Sequence, residues 1–419
     1  LTLDSAESSV NLYVAPTALS VGDNLYLTKA DGSQLGAAIT VTQAHLSSGV
    51  TFNVSKSSLT NGANALTVHA TDVAGNQATS SVTVNVSEYV QVSGFIGFSS
   101  KVLSGNDLVV TAYDANNNVL GTGTINAATS TYTLQLLKTQ AGLVNLKVSS
   151  GGTGADYWDE ATAAQLDLGN NAIAASINAD GTAKTANITL LSDLASRIIG
   201  GISSPSAAQI SAVNTAITKL LVSGTSTTEI TAYSPDFAVS TTGTSTPTAA
   251  TIFGQLMSQL SEQAKETGST LAVVLNNMAN GISWDGTIAT LNSAFAKHVF
   301  LLAKAQLAAS LNDGANASAY LTAQDFTDYG VTGVSTLSAT RQLDLIARIV
   351  STSNDGNQVD TLAELQALAD KVVALGKIQD YADLGVTAPT VSDYAAAGIT
   401  GVNATNLTAV NLRLLNSDT

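Results

Sequence analysis

The sequence predicts a multidomain protein in which two small β-sandwiches are followed by helical domains. Apolar residues alternate with polar ones through about the first 170 residues, which is the period of strands with one buried face. From about residue 187 they recur at i, i+3, i+4 and i+7, which is the period of amphipathic helices. At 419 residues the chain is also too long for one ordinary core, so several domains are expected.

The first predicted domain, residues 1–88, is a β-sandwich of short strands separated by turn signals such as VGDN and TNGAN. The expected strands are NLYV (11–14), NLYLTKA (24–30), AAITVT (37–42), VTFNVS (50–55), NALTVHATD (64–72) and SSVTVNVS (80–87). The phrase ATDVAGN, followed by a final alternating strand, resembles the bacterial Ig-like repeats of giant surface adhesins. That resemblance covers about a fifth of the chain and implies an Ig-like fold without specifying a ligand.

The second predicted domain, residues 89–170, is another small sandwich. Its strands are expected in VQVSGFIGF, DLVVTAYDANNNVLGTGTI, STYTLQLL and GLVNLKVSS, with DANNN (114–118) as a hairpin tip. Their order resembles the carboxypeptidase-regulatory-like sandwich, a non-catalytic module found in secreted proteins. The stretch DYWDEATAAQLDLGN (156–170) is predicted to lead out of the sheet.

The third predicted domain, residues 171–312, is helical. Amphipathic stretches begin near NITLLSDL, SAAQISAV, AATIFGQL and IATLNSAF, and glycine or Asn-Asp-Gly signals stop them. A Ser/Thr/Gly-rich loop is expected at 223–250.

The fourth predicted domain, residues 313–419, repeats a short phrase. DFTDYGVTGV (325–334) and DYAAAGITGV (393–402) share a frame at an offset of 393 − 325 = 68 residues, and DYADLGVT (380–387) is a shorter echo. Each copy is predicted to be a short helix that begins near the Asp and stops at a left-handed glycine. The aromatic residue of each, Phe326, Tyr381 or Tyr394, should be buried.

Two helices, TLSATRQLDLIARIVS and DTLAELQALADKVVALGKIQDYADLG, are expected around these phrases. Thr361 and Glu364 are predicted to form a capping box at the start of the second. The segment resembles helical repeats of very large bacterial surface proteins.

Composition excludes several classes of function. Charged residues make up only 11% and the net charge is −15, with no Lys/Arg cluster of the kind that nucleic acid binding needs. Without cysteine there are no disulfides, thiolate zinc sites or cysteine nucleophiles. The most apolar stretch, 300–311, carries Lys304 and is too short for a transmembrane span. A surface of neutral hydroxyls and amides is cheaper to desolvate than a charged one, which favours protein–protein packing.

Candidate catalytic residues are sparse, and we predict no catalytic or cofactor-binding site. Of the three histidines, His45 and His69 fall in the first predicted domain and His298 falls in the third. The motifs GxSxG, HExxH and the P-loop are absent, and GTGTIN (121–126) sits in a hairpin strand. A glycosidase would need two carboxylates and an aromatic platform, for which Asp156, Asp159, Glu160 and the adjacent Trp158 are the candidates. The alternative is a linker with a buried Trp anchor, and Trp284 is likewise expected to be a core or interface anchor.

Calcium is the metal hypothesis that the sequence leaves open. Loops at Asp23, Asp31, Asp72 and Asp114 offer oxygen ligands, and related adhesin repeats often bind calcium at their junctions. None has a dense Asp ladder, and NDGNQVD (354–360) lacks the full EF-hand spacing, so Asp360 is equally explained as the neighbour of a helix N-cap. N-x-[S/T] sequons occur at Asn53, Asn85, Asn187, Asn316, Asn403 and Asn406, and in a bacterial protein they predict little.

Together these features predict a non-enzymatic structural protein of the bacterial cell exterior that assembles with itself into a filament, fibre or layer. Two alternatives stay open: an adhesin that binds a glycan or another surface, and a polysaccharide hydrolase with Ig-like accessory modules. The start at Leu1 without a signal peptide indicates either a removed leader or a segment of a longer protein. Residues near 1–15 or 403–419 are expected to pack on an adjacent subunit or domain, unless NLYV completes its own sandwich.

Overall fold

The computed structural model describes the chain except for residues 5–6, 99–100, 160–161, 223–225, 238–247, 312–316, 318–320, 353–357 and 417–419. It forms two compact units. One comprises Leu1–Val92, Leu134–Gly142 and Ala179–Lys184, and the other comprises Ser93–Thr133, Leu143–Asn178 and Thr185–Thr419. The predicted fold class, β followed by α, is confirmed. The domain boundaries at residues 88, 170 and 312 stay predictions.

The N-terminal sandwich confirms each of the six predicted strands to within three residues. Its elements are β1 (Thr2–Leu3), β2 (Ser9–Val14), β3 (Asn24–Lys29), β4 (Gln34–Thr40), the short helix α1 (His45–Ser48), β5 (Val50–Ser55), β6 (Gly62–Thr71) and β7 (Gln77–Val86). The larger sheet has the order β1-β7-β6-β3-β4, and β2 pairs with β5 in a second sheet. Alternation places Leu25, Leu27, Leu66 and Val84 in the core between them.

The N-terminal segment belongs to its own sandwich. β1 pairs in parallel with β7, Thr2 opposite Asn85, and Leu3 is buried in the core. β2 pairs with β5 in a continuous antiparallel register that places Leu12 opposite Phe52. The expectation that residues near 1–15 pack on a neighbour is therefore wrong for this structure, and NLYV completes its own sandwich.

The second β region contains the predicted strands and several short ones. They are β8 (Tyr89–Gly97), β9 (Lys101–Val102), β10 (Leu108–Asp114), β11 (Val119–Asn126), β12 (Thr131–Leu137), β13 (Ala141–Ser150), β14 (Tyr157–Asp159), β15 (Ala164–Leu166), β16 (Ala172–Asp180), β17 (Lys184–Thr185) and β18 (Ile188–Thr189). The main sheet has the order β16-β13-β10-β11-β12-β8-β17, with β18 added in parallel to β8. A small sheet has the order β15-β14-β9.

Strand structure continues past residue 170, where the sequence predicts helices. β16 runs from Ala172 to Asp180 and extends the main sheet. Its residues from Ile173 to Ile177 are buried on both faces, so the strand lacks the polar alternation that reveals a half-exposed strand.

The rest of the chain is mainly helical. Its helices are α2 (Leu190–Gly200), α3 (Ala207–Leu221), α4 (Ala249–Glu266), α5 (Leu271–Asn280), α6 (Ala294–Leu311), α7 (Ala323–Asp328), α8 (Ala339–Val350), α9 (Leu362–Leu384), α10 (Val391–Ala396) and α11 (Leu407–Leu415). A hairpin of β19 (Ile282–Trp284) and β20 (Ala289–Leu291) lies between α5 and α6 and is not apparent in the sequence. None of the described helices is long and apolar enough to cross a bilayer.

Side-chain caps begin most of these helices. The predicted capping box at the start of α9 is confirmed: the Thr361 hydroxyl accepts from the Glu364 backbone N–H, and Glu364 accepts from that of Thr361. The same arrangement begins α7 at Thr322 and α10 at Thr390, each with an Asp three residues later.

Candidate functional site

The N-terminal sandwich has an open side. Its second sheet has two strands against five in the first, so the inner face of the larger sheet is only partly covered. An open, largely apolar groove of about 590 Å³ runs between β2 and the β6–β7 pair. Leu12 and Leu19 contribute to its lining, and so do Leu25, Val68 and Val82 of the larger sheet. We call this feature the edge groove.

The backbone of β7 is unpaired along the edge groove. β6 covers one edge of β7 from Gln77 to Val86. On the other edge β1 pairs with Asn85 and Val86, and the Leu1 ammonium donates to the Thr83 carbonyl. The Asn85 N–H donates to the Leu1 carbonyl, which shows that odd-numbered residues turn their backbone groups towards this edge. Within the described part of the chain, Thr79 and Ser81 therefore present backbone groups to the groove without a strand partner.

The opposite side of the same sandwich is open as well. A second groove of about 460 Å³ lies between β4 and β5. Leu35 and Ile39 contribute apolar surface from β4, and Phe52 and Val54 contribute it from β5. Both strands end their sheets, so this groove is also bordered by strand edges.

Two of the proposed calcium loops use their carboxylates to build hairpin turns. Asp72 Oδ1 accepts from the backbone N–H groups of Ala74 and Asn76, and Oδ2 accepts from the Asn76 side chain. Asp114 accepts the same three hydrogen bonds, from the backbone N–H groups of Asn116 and Asn118 and from the Asn118 side chain. These hydrogen bonds hold the pKa of both carboxyls below the usual value. A carboxylate that closes its own turn is already satisfied, which favours a structural role.

The other acidic loops are also tied to their own backbone. Asp31 Oδ1 accepts from the Ser33 N–H and hydroxyl, and Asp23 Oδ2 accepts from the Ser20 N–H at 2.7 Å. Asp23 Oδ1 is buried without a hydrogen-bond partner. Among the described residues, no group of three or more acidic or histidine side chains is placed to hold a metal ion. The segment 354–360 lies partly outside the described residues.

The carboxylates proposed for sugar hydrolysis are buried in structural contacts. Asp156 accepts from the Leu168 N–H at 2.9 Å, and Asp159 accepts from the Thr162 N–H and hydroxyl. Burial raises the pKa of Asp156. Glu160 lies outside the described residues.

The expected Trp anchors are only partly buried. Trp158 is half-buried, and its neighbour Tyr157 provides the buried ring, which stacks on Phe98 with 4.8 Å between centroids. Trp284 is also half-buried, and it pairs with Ala289 in the β19–β20 hairpin.

The histidines have separate structural contacts. The His45 ring accepts from the Thr42 N–H ahead of α1, and His69 stacks on Tyr26 with 4.6 Å between ring centroids. His298 lies on α6, where partial burial lowers its pKa. Its Nε2 lies 3.0 Å from the position that a Cβ at Gly330 would occupy.

Acidic residues that the sequence analysis did not group meet near the start of α9. The pKa of Asp360 is raised to about 7, first by burial and then by hydrogen bonding and repulsion from Glu364, with further repulsion from Glu262 and Glu266 on α4. Burial also raises the pKa of Glu262. Asp360 directly precedes the N-cap Thr361, as predicted. This placement makes the start of α9 sensitive to pH.

The predicted repeat consists of two matching copies. We call residues 322–350 the first copy and residues 390–415 the second copy. Each begins with a Thr-x-x-Asp capping box, buries one aromatic ring, Phe326 or Tyr394, and turns at a glycine with positive φ. The N–H after that glycine donates back to the carbonyl of the aromatic residue at 2.8 Å in both copies.

The third echo is different: its predicted short helix and buried ring are wrong, whereas its left-handed glycine is confirmed. Asp380 and Tyr381 lie in the last turns of α9, Tyr381 is only half-buried, and Gly385 caps that long helix in the left-handed region. Position 377, three residues before Asp380, is Lys and not Thr. Without the capping residue no new helix begins, and α9 continues through the phrase.

Comparison with known families and with curated proteins gives no match. Three solved structures show weak similarity to the chain. The tetra-tandem repeat in the extending region of a large adhesion protein is 20% identical, covering 42% of this chain and 47% of that one, with a TM-score of 0.16. The BSP domain of a biofilm-associated protein is 20% identical over 36% of this chain and 26% of that one, with a TM-score of 0.14.

The third structure is BcpA, the major pilin subunit of Bacillus cereus. It is 11% identical over 43% of this chain and 56% of that one, with a TM-score of 0.17. The chain thus matches between 26% and 56% of the length of these structures. TM-scores this low do not establish a shared fold.

Proposed function

We propose that this chain is a non-enzymatic structural protein of the bacterial cell exterior that assembles with copies of itself. The observation that carries the proposal is the edge groove, where an apolar channel runs beside the unpaired backbone of β7. An extended segment of another subunit would pair with Thr79 and Ser81 and place alternate side chains in the channel.

Three further features support assembly through this sandwich. The groove between β4 and β5 gives the sandwich a second open side that differs from the first. Contacts between unlike surfaces are heterologous and extend into fibres unless the rotation closes them into a ring. The low charge content keeps the cost of desolvating the contact small.

The enzymatic alternative receives less support from the candidate residues. Asp156 and Asp159 accept hydrogen bonds from nearby backbone N–H groups, and both are buried. The histidines lie in separate structural contacts. A location on the cell surface follows from the same proposal and from the resemblance of the first domain to adhesin repeats.

Negative-stain electron microscopy with sedimentation tests the proposal. We expect fibres or sheets from the purified chain and their loss in the variant Thr79→Lys/Ser81→Lys, because charges on an open strand edge oppose pairing with another chain. The matched control is Ala63→Lys/Ala65→Lys, at exposed positions on β6 that do not line the edge groove.

Two results would contradict the proposal. Monodisperse particles of the wild-type chain at all concentrations would rule out self-assembly. Assemblies that survive the edge variant as well as the control would show that the edge groove is not the contact.

A further inference from the structure

The short helix and loop of the first copy lie between two long helices. α6 backs the copy: Lys304 pairs with Asp325 at 2.7 Å, and the His298 ring lies against Gly330. α9 covers the other side with Leu365, Ala369 and Val372, which join Phe326 in one buried cluster. The spacing i, i+4 and i+7 puts these three side chains on one face of α9.

A carboxamide on α9 completes the cover of the first copy. The Gln366 side-chain oxygen accepts from the Thr332 N–H at 2.9 Å, and its Nε2 donates to the Thr332 carbonyl at 3.2 Å. Val373 approaches Gly333 from the same helix. α9 therefore pairs with the Thr332 backbone and shares a buried cluster with Val331 and Val334 of the loop 330–334.

α9 in turn backs the second copy as α6 backs the first. Lys377 pairs with Asp393 at 2.9 Å, and Lys371 lies nearest to Gly398. The offsets agree: 377 − 304 = 73 and 371 − 298 = 73. α6 and α9 are thus successive members of one series of backing helices.

α9 backs the second copy, and among the described residues no helix covers it as α9 covers the first. Ile399 is 41% exposed, whereas its counterpart Val331 is 3% exposed. Gly401 is exposed and Val402 is only half-buried, whereas their counterparts Gly333 and Val334 are half-buried and fully buried. In the described part of the chain, the Thr400 backbone has no hydrogen-bond partner of the kind that Gln366 supplies to Thr332.

We propose that the loop 398–402 is a docking surface for a helix of the α9 type that belongs to a further repeat unit. The partner helix presents small and branched apolar side chains at i, i+4 and i+7 and a Gln or Asn one position after the first of them. The apolar row covers Ile399 and Val402, and the carboxamide pairs with the N–H and carbonyl of Thr400.

A second copy of this chain does not supply that helix from α9. The apolar row of α9 is already buried against the first copy, and its second half packs on Tyr394 through Ala374 and Ile378. If α9 of one chain covered the loop 398–402 of another chain, its own loop 330–334 would lose its cover. The proposal does not rest on assembly through the edge groove, because it follows from the comparison of the two copies alone.

The test extends the full chain at its C-terminus with a second copy of residues 351–384, which contain the linker and α9. Hydrogen exchange of the Thr400 amide is compared in the original and extended chains. We expect exchange to slow at least tenfold in the extended chain, because that amide gains a partner and its surroundings lose solvent.

Two matched variants make the result specific. One carries Leu365→Asp and Gln366→Ala in the appended copy only, and the other carries Ile399→Asp in the extended chain. Ile399 is exposed, so its replacement leaves the fold of the original chain intact, and both variants should restore fast exchange at Thr400.

The proposal is overturned if Thr400 exchanges equally fast in the original and extended chains, or if the two variants leave its protection unchanged. It is also overturned if the original chain dimerises in sedimentation and Ile399→Asp abolishes the dimer. That outcome would assign the surface to a second copy of the chain.

Discussion

In the first copy of the repeat, the loop after α7 lies beneath α9, whereas in the second copy the loop after α10 is exposed. The local structure is nevertheless the same: a Thr-x-x-Asp box, a short helix, a buried ring and a glycine turn. Capping and turn chemistry are therefore enough to shape this motif, and the covering helix is not required to form it. Packing beneath a covering helix should instead determine how much each copy contributes to stability.

The largest difference is expected at the aromatic rings. Phe326→Ala should cost about 3–5 kcal/mol, because it empties a fully buried site at the centre of a large cluster. Tyr394→Ala should cost less, since its cluster is smaller and partly open. Urea unfolding of each variant, monitored by hydrogen exchange of the helical region, measures both losses of stability. Equal costs for the two substitutions would break the comparison.

The loop position after the turn glycine gives a matched pair. Val331→Ser should cost roughly 2–3 kcal/mol, because it removes a buried side chain and buries a hydroxyl. Ile399→Ser should change stability by no more than about 0.5–1 kcal/mol, because Ile399 is exposed. Thermal unfolding of the two variants provides the measurement, and a large cost at Ile399 would show that the second loop is covered in solution.

Removal of the Tyr394 hydroxyl tests the packing of the second copy with a smaller expected effect. The Tyr394 hydroxyl donates to Asn411 Oδ1 at 2.7 Å, and Asn411 Nδ2 donates to the Pro389 carbonyl. Tyr394→Phe should therefore cost about 1–2 kcal/mol by leaving a buried amide oxygen without its donor. Thermal unfolding at neutral pH measures the loss. Asn411→Ala in the Tyr394→Phe background should then cost less than Asn411→Ala alone, and full additivity would contradict the pairing.

A pH dependence is expected at the start of α9, the helix that covers the first copy. Asp360 has a pKa raised to about 7 in the folded chain, and an unfolded Asp titrates near 4. Between these values the folded state holds the proton and the unfolded state has released it, so this stabilisation is present below about pH 4 and is lost as the pH rises through 7.

Asp360→Asn tests that dependence. Between pH 5 and pH 8 the free energy of unfolding should decrease less in the variant than in the wild type. Burial also raises the pKa of Asp193, to about 6, so some decrease should persist in the variant. The matched control is Asp285→Asn, on an exposed loop where backbone N–H groups lower the pKa, and it should leave the slope in this range unchanged.

Much of the fold follows from the sequence because its signals are local. Alternation in VTFNVS predicts β5 with the same boundaries, and Thr361 with Glu364 marks the start of α9. β16 was missed because a strand buried on both faces shows no alternation. The hairpin at Ile282–Trp284 was missed because strands of three residues are too short to show a period.

The candidate surfaces were less predictable because they depend on what is absent beside an element. The sequence of β7 shows a strand but not that β1 covers only its last two residues. Likewise, the phrases VTGV and ITGV look equivalent, and only the position of Leu365 and Gln366 on α9 distinguishes them. Exposure of this kind is a tertiary property, whereas the turn that each phrase forms is a local one.

The continuity of α9 means that the two copies should melt as one cooperative unit. This helix of 23 residues is about 35 Å long, and its first half packs on one copy while its second half packs on the other. Unfolding of either copy removes the packing from half of a helix whose hydrogen bonds continue into the other half. Stability in such an array is a sum of units and the couplings between neighbours, and here one uninterrupted backbone supplies the coupling.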